Sequence, residues 1–199
     1  MGIAELHTNF KAVVIGGSAG SFQGICKILA QIPEDFSLPI IMCLHRLKHV
    51  RNGFVEALSI KSIKEVTEPI DKELIRRGKV CLAPANYHLC IEQGHHFALS
   101  TEEMVNNSRP SIDLTFETAA NNYRKKLIGI LLSGANSDGA AGMKRIKDLG
   151  GLTIVQDPAD CQIGTMPSAA LNATQIDHKL SLDQIIRFLC DIQKVSSNL

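Results

Sequence analysis

The chain has 199 residues, of which 45% are hydrophobic and 21% charged, with a formal net charge of +1. That balance excludes a disordered or polybasic chain and gives no electrostatic reason to propose nucleic acid as a partner; tryptophan is also absent, so a base-stacking platform is not expected. No basic start precedes a long apolar core and no apolar run reaches the roughly 18 residues of a membrane span, so a cytoplasmic protein without membrane insertion is expected, as one domain over residues 1–199.

The first strand is predicted at 11–15, an apolar β-branched run that ends in Gly16-Gly17-Ser18-Ala19-Gly20. A helix follows at 21–32, where Ile25, Ile28, Leu29 and Ile32 share one face. Residues 39–44 form a second buried strand, and the segment 79–99 reads as a hairpin turning at Gln93-Gly94. After a loop at 106–110 come a helix at 111–123, a strand at 127–132, a helix at 138–149, a strand at 152–155 and a last helix at 181–195. Buried strands alternating with helices define an α/β fold: three layers, doubly wound, its sheet mostly parallel with an antiparallel hairpin portion. Six cysteines contain no Cys-x-x-Cys pair and sit mostly in apolar stretches, so they read as small hydrophobes in a reducing compartment.

Sheets of this class bind ligands at the carboxyl ends of their strands, so the residues just past each apolar run carry the chemistry. Ser18 follows the first strand, His45 the second, and Asp138 the loop after the strand ending at Leu132. A serine, a histidine and an aspartate delivered to one sheet edge are what acyl transfer needs: a nucleophile, a base, and a carboxylate to fix the imidazole tautomer. Gly16-x-Ser18-x-Gly20 also fits a sharp strand-to-helix turn that exposes the serine oxygen, although the same turn can cradle a phosphate. Against a nucleotide site stand Ser18 in place of the second glycine of G-x-G-x-x-G, the lack of Gly-Lys-[Ser/Thr], and His45 where a ribose-binding acid belongs. His88 competes with His45, and Asp138 has a second reading as the N-cap of its own helix. His45 and His49 lie four apart with no carboxylate or cysteine obvious nearby, so neither a metal nor any other cofactor is expected.

These blocks together resemble one family, the catalytic domain of the CheB-type protein-glutamate methylesterases of bacterial chemotaxis. The resemblance runs in order through Ile-Gly-Gly-Ser-Ala-Gly at 15–20, Leu-His at 44–45, Ala-Pro-Ala-Asn-Tyr-His-Leu at 83–89 and Arg-Pro-Ser-Ile-Asp at 109–113. It continues through Leu-Ser-Gly-Ala-Asn-Ser-Asp-Gly-Ala-Ala-Gly-Met at 132–143, Gly-Gly-Leu-Thr-Ile-Val-Gln-Asp at 150–157 and Gly-Thr-Met-Pro at 164–167. It implies a triad at Ser18, His45 and Asp138, an oxyanion hole from the amides of Ala19 and Ala135, and a pocket to which Arg46, Asn136 and Met166 are candidates. It also implies a substrate, glutamate methyl esters on the cytoplasmic helices of methyl-accepting chemotaxis receptors, with glutamine deamidation as a related reaction. The chain departs from the family at Ala19 and Ser21, at Ala135 and Asn136, at Arg46, and at 47–53, where the family's usual proline pair is missing. Typical members carry an N-terminal phosphoacceptor domain. With a first strand near residue 11, none is expected in this chain: either that domain was left out, or the enzyme is a stand-alone form regulated otherwise, for instance by a response-regulator domain or kinase supplied in trans. A catalytically silent receptor-binding module is the alternative reading.

Overall fold

The computed structural model describes residues 10–45 and 53–196. Its centre is a strand of small and branched residues, β1 (Ala12–Gly17), every one of them buried. Parallel neighbours flank it on both sides: β2 (Ile40–Leu44) on one and, on the other, the strand Leu127–Leu131. Both neighbours are also buried along their whole length, which is why these runs are continuously apolar rather than alternating.

In chain order the elements are β1, α1 (Phe22–Gln31), β2, α2 (Phe54–Lys61), β3 (Val66–Thr67), β4 (Val80–Leu82), β5 (His88–Glu92), β6 (His96–Ser100) and α3 (Ile112–Tyr123). Then follow β7 (Leu127–Leu131), α4 (Ala140–Asp148), β8 (Leu152–Gln156), α5 (Thr165–Ala173), β9 (His178–Leu180) and α6 (Leu182–Ser196). The main sheet has the order β3-β4-β2-β1-β7-β8-β9, and all its pairs are parallel. The chain moves outward from β1 through β2, then returns to lay β7 on the opposite flank of β1. Such a reversal leaves a crevice at the carboxyl ends of the central strands.

Side chains alternate across the sheet and divide the core in two. Val13, Ile15, Ile40, Met42, Leu44, Ile128 and Ile130 point to the layer of α1, α2 and α6, where they meet Ile25, Ile28, Leu29 and Ile185. Val14, Ile41, Cys43, Leu127 and Leu131 point to the layer of α3, α4 and α5. Each fully buried aliphatic side chain contributes about 1.5–3 kcal/mol of transfer free energy, so these two faces dominate folding.

The hairpin at 88–100 is present, but it stands as a separate two-stranded sheet rather than as part of the main one. The place beside β2 is taken by the three residues of β4, and Pro84, which has no N–H to offer a ladder, follows directly after Ala83. The hairpin packs on α3 instead: Leu89, Ile91 and Phe97 join the second core, and the Thr115 hydroxyl donates to the Leu89 carbonyl at 2.7 Å. Five elements lay outside the sequence expectations. The strands β3, β4 and β9 are only two or three residues long, and α2 buries Leu58 alone, so its sequence carries no stripe. In α5, Pro167 looks like a helix breaker, but it sits in the first turn, where no N–H is required.

Candidate active site

The site forms where β1, β2 and β7 end together. Gly17 pairs with Leu44 across the first two strands, which places Ser18 and His45 at the next level of adjacent parallel strands. Backbone bonds lock that level: the His45 amide donates to the Gly17 carbonyl at 3.1 Å, and the Ser18 amide donates to the Ser133 carbonyl at 2.9 Å. The turn then closes on itself, with the amide and hydroxyl of Ser21 both donating to the Ser18 carbonyl, at 3.0 and 2.7 Å. Gly20 makes the bend possible. Its φ is +83°, and a Cβ there would lie 2.7 Å from the Ser133 hydroxyl and 2.8 Å from Gln162.

His45 and Asp138, 93 residues apart in sequence, meet through Nε2 and Oδ2 at 2.8 Å. Asp138 is fully buried, and Oδ2 also accepts the Ile112 amide at 2.8 Å. Its Oδ1 accepts the Ser111 hydroxyl, the Asp113 amide and the Asn106 side-chain amide, each at 3.1 Å. Burial on its own raises the carboxyl's pKa, but the bonds from His45, Ile112, Asn106 and Asp113 outweigh it and hold the group at about 2. Asp138 is therefore an ionised carboxylate that accepts a hydrogen bond from the Nε2–H of His45. The other ring nitrogen of His45, Nδ1, makes no hydrogen bond among the described residues.

The alternative role of Asp138 as cap of its own helix is not what the geometry gives. Helix α4 starts at Ala140 behind Gly139, and the Asp138 carboxylate instead satisfies the N-terminus of α3. The favour is returned: Asp113, in the first turn of α3, accepts the Gly142 amide of α4 at 2.7 Å. The competitor His88 is occupied elsewhere. It is fully buried, its Nδ1 accepts the Ser111 amide at 3.2 Å, and its Nε2 donates to the Glu103 carbonyl at 2.9 Å. His95 is exposed and stacks on Tyr123.

The loop that follows β7 faces the Ser18 turn. The Ser133 hydroxyl lies 2.9 Å from the Ala19 carbonyl, and the Gly134 amide donates to the Ile163 carbonyl at 3.0 Å. Among the described residues no hydrogen bond engages the amides of Ala19 and Ala135, and both residues are exposed. Nor does a hydrogen bond join the Ser18 hydroxyl to His45 among those residues. Asn136 turns its Oδ1 back onto the Asp138 amide at 3.2 Å. Met166 is fully buried beneath Gly134, to whose carbonyl its amide donates at 3.0 Å. Arg46, His49 and most of the 47–53 segment lie outside the described residues. Burial pushes the thiols of Cys81, Cys90 and Cys161 up to about 11, so none of these three is a rival nucleophile.

Asn106, Ser111 and Asp113 are site residues that strand-end reasoning did not find. Burial raises the Asp113 carboxyl to about 6, and the nearby Asp138 charge adds to that. The unfolded chain releases this proton near 3.8 and the folded protein near 6, so stability on this group is present below about 4 and is lost as pH rises through 6. Asp138 acts oppositely, contributing stability above about 4 that is lost as pH falls toward 2. Thermal melts at pH 5 and pH 7 should therefore show the wild type gaining on Asp113→Asn at the lower pH. An unchanged gap would refute the shift.

A doubly wound α/β domain with a serine, a histidine and a buried carboxylate at its topological switch has the layout of a serine hydrolase. A family model described as CheB methylesterase matches residues 13–189. Over 177 residues the chain is 45% identical to a Leptospira interrogans protein named as a candidate protein-glutamate methylesterase/protein-glutamine glutaminase, covering 89% of this chain and 92% of the relative. A Geobacter metallireducens protein-glutamate methylesterase/protein-glutamine glutaminase is 32% identical over 187 residues, which are 92% of this chain but 52% of that one. The crystal structure of the Thermotoga maritima CheB methylesterase catalytic domain superposes with a TM-score of 0.87 at 30% identity, covering 92% of this chain and 98% of that one. The chain belongs to the CheB methylesterase family.

Proposed function

We propose that this chain hydrolyses glutamate methyl esters on the cytoplasmic helices of methyl-accepting chemotaxis receptors, and deamidates glutamines there, with Ser18 as nucleophile. The observation that carries this reading is the His45–Asp138 pair, with Nε2 held by a buried carboxylate and the imidazole on the strand next to the one that carries Ser18. The names of the relatives supply the substrate class.

In the proposed reaction Ser18 Oγ attacks the ester carbonyl and its proton passes to His45 Nδ1. The tetrahedral oxyanion lies against the amides of Ala19 and Ala135. As it collapses, the ester C–O bond breaks and methoxide takes the Nδ1 proton to leave as methanol; with glutamine the leaving group is ammonia. Water then attacks the acyl-serine, giving a proton to His45, and the serine is restored with release of free glutamate. Asp138 keeps its charge throughout and stabilises the imidazolium. The site is proposed to work in the cytoplasm, where a response-regulator domain or a kinase is a candidate partner. No helix among the described residues is long and apolar enough to cross a membrane.

Incubation with a methylated chemoreceptor cytoplasmic fragment, followed by assay of the methanol formed, tests the reading. Methanol released in proportion to enzyme is the expected result. Receptor binding without methanol would instead identify a silent binding module.

A further inference from the structure

Asp138 does not stand alone behind His45. Asp113, only 8% exposed, lies close enough that a single side-chain amide, that of Asn106, reaches both carboxylates: Asp113 Oδ2 at 2.8 Å and Asp138 Oδ1 at 3.1 Å. Two buried carboxylates side by side repel each other, and an arrangement of that kind needs compensation. Two helix N-termini supply part of it, because the amides of Ile112 and Asp113 in α3 meet Asp138 while the amide of Gly142 in α4 meets Asp113. His45 and the Ser111 hydroxyl add donors to Asp138 alone, whereas Asn106 serves both carboxylates. It sits in a left-handed pair with Asn107, at φ of 51° and 58°, a conformation that costs most side chains energy but that asparagine tolerates.

We propose that Asn106 and Asp113 are positioning residues of the hydrolytic site: Asp113 holds a second buried negative charge behind Asp138, and Asn106 fixes the two carboxylates so that the pair stabilises the His45 imidazolium. The inference rests on the triad reading for its catalytic consequence, though not for the geometry. At neutral pH and above Asp113 is ionised, so its charge is present when the enzyme works. Other titratable groups around it are Asp138 ahead of α4, His45 at the end of β2, His88 on β5 behind Ser111, and Glu117 four residues along α3. Of these only Asp138 shares its amide clamp with Asp113.

Removing a negative charge near an imidazolium makes the imidazole release its proton at lower pH. In Asp113→Asn, kcat for ester hydrolysis should therefore fall about tenfold with KM within about twofold, while the acidic limb of kcat/KM moves down by about half a pH unit or more. Asn106→Gly keeps the left-handed backbone and removes only the amide. It should lower kcat by a similar factor, and the ratio of kcat to folded protein guards against a mere loss of fold. An NMR titration of the His45 imidazole, made in a Ser18→Ala background with and without Asp113→Asn, needs no turnover. A midpoint displaced to lower pH supports the proposal even if the substrate assignment fails. An unmoved midpoint, or variants with full kcat and an unmoved acidic limb, overturns it while leaving the triad untouched.

Discussion

Ser18→Ala should lose on the order of 10⁶-fold in kcat while keeping its fold and its affinity for substrate. The Ser18 side chain makes no hydrogen bond among the described residues, whereas its backbone makes three: the amide donates to Ser133 and the carbonyl accepts twice from Ser21. Alanine preserves all three, and it fits a half-buried position without clash. Melting temperature is thus expected to change little, and any loss of methanol release reports chemistry. A variant that kept a tenth of wild-type turnover would exclude Ser18 as nucleophile.

Asp138→Asn is expected to cost about 10⁴-fold in kcat, and the reason lies in the donors around it. Every hydrogen-bond partner of the carboxylate among the described residues is a donor: His45 and Ile112 to Oδ2, and the Asn106 side-chain amide, the Ser111 hydroxyl and the Asp113 backbone amide to Oδ1. An amide NH₂ placed at Oδ2 must force His45 to accept through Nε2, which moves the ring proton to Nδ1 and removes the base. Placed at Oδ1, it meets three donors and leaves buried amides unpaired, at about 1–3 kcal/mol for each group. Stability is therefore expected to fall along with activity. Turnover measured per folded molecule separates the two effects, and unchanged turnover would reduce Asp138 to a structural cap.

Elements with their own periodicity were readable from the sequence. Helix α1 announces itself through Ile25, Ile28, Leu29 and Ile32, and β1, β2 and β7 through uninterrupted burial, since a central parallel strand must be apolar on both faces. From strand ends alone, Ser18, His45 and Asp138 could be nominated as a group. Nothing local revealed β3 or β9, which are too short to show a period and are strands only because a neighbour pairs with them. Asn106 and Asp113 were hidden for a related reason. Their roles are made of contacts between a turn and two helices, and no spacing in the chain encodes those contacts. One trace existed: Ser111 and Asp113 open α3 as an N-cap and an acidic first turn, which marks a helix start without saying that the acid serves another helix.

The exchange of caps between α3 and α4 couples the docking of the two helices to the seating of Asp138. Asp138 can shed its solvating water only when the amides of α3 replace it, and the first turn of α4 is complete only when Asp113 arrives from the other side. A chain whose sheet has formed but whose two helices have not docked keeps both acids hydrated and leaves His45 without an orienting partner. The orientation of His45 therefore depends on the docking of α3 against α4, and not only on the strands that carry Ser18 and His45.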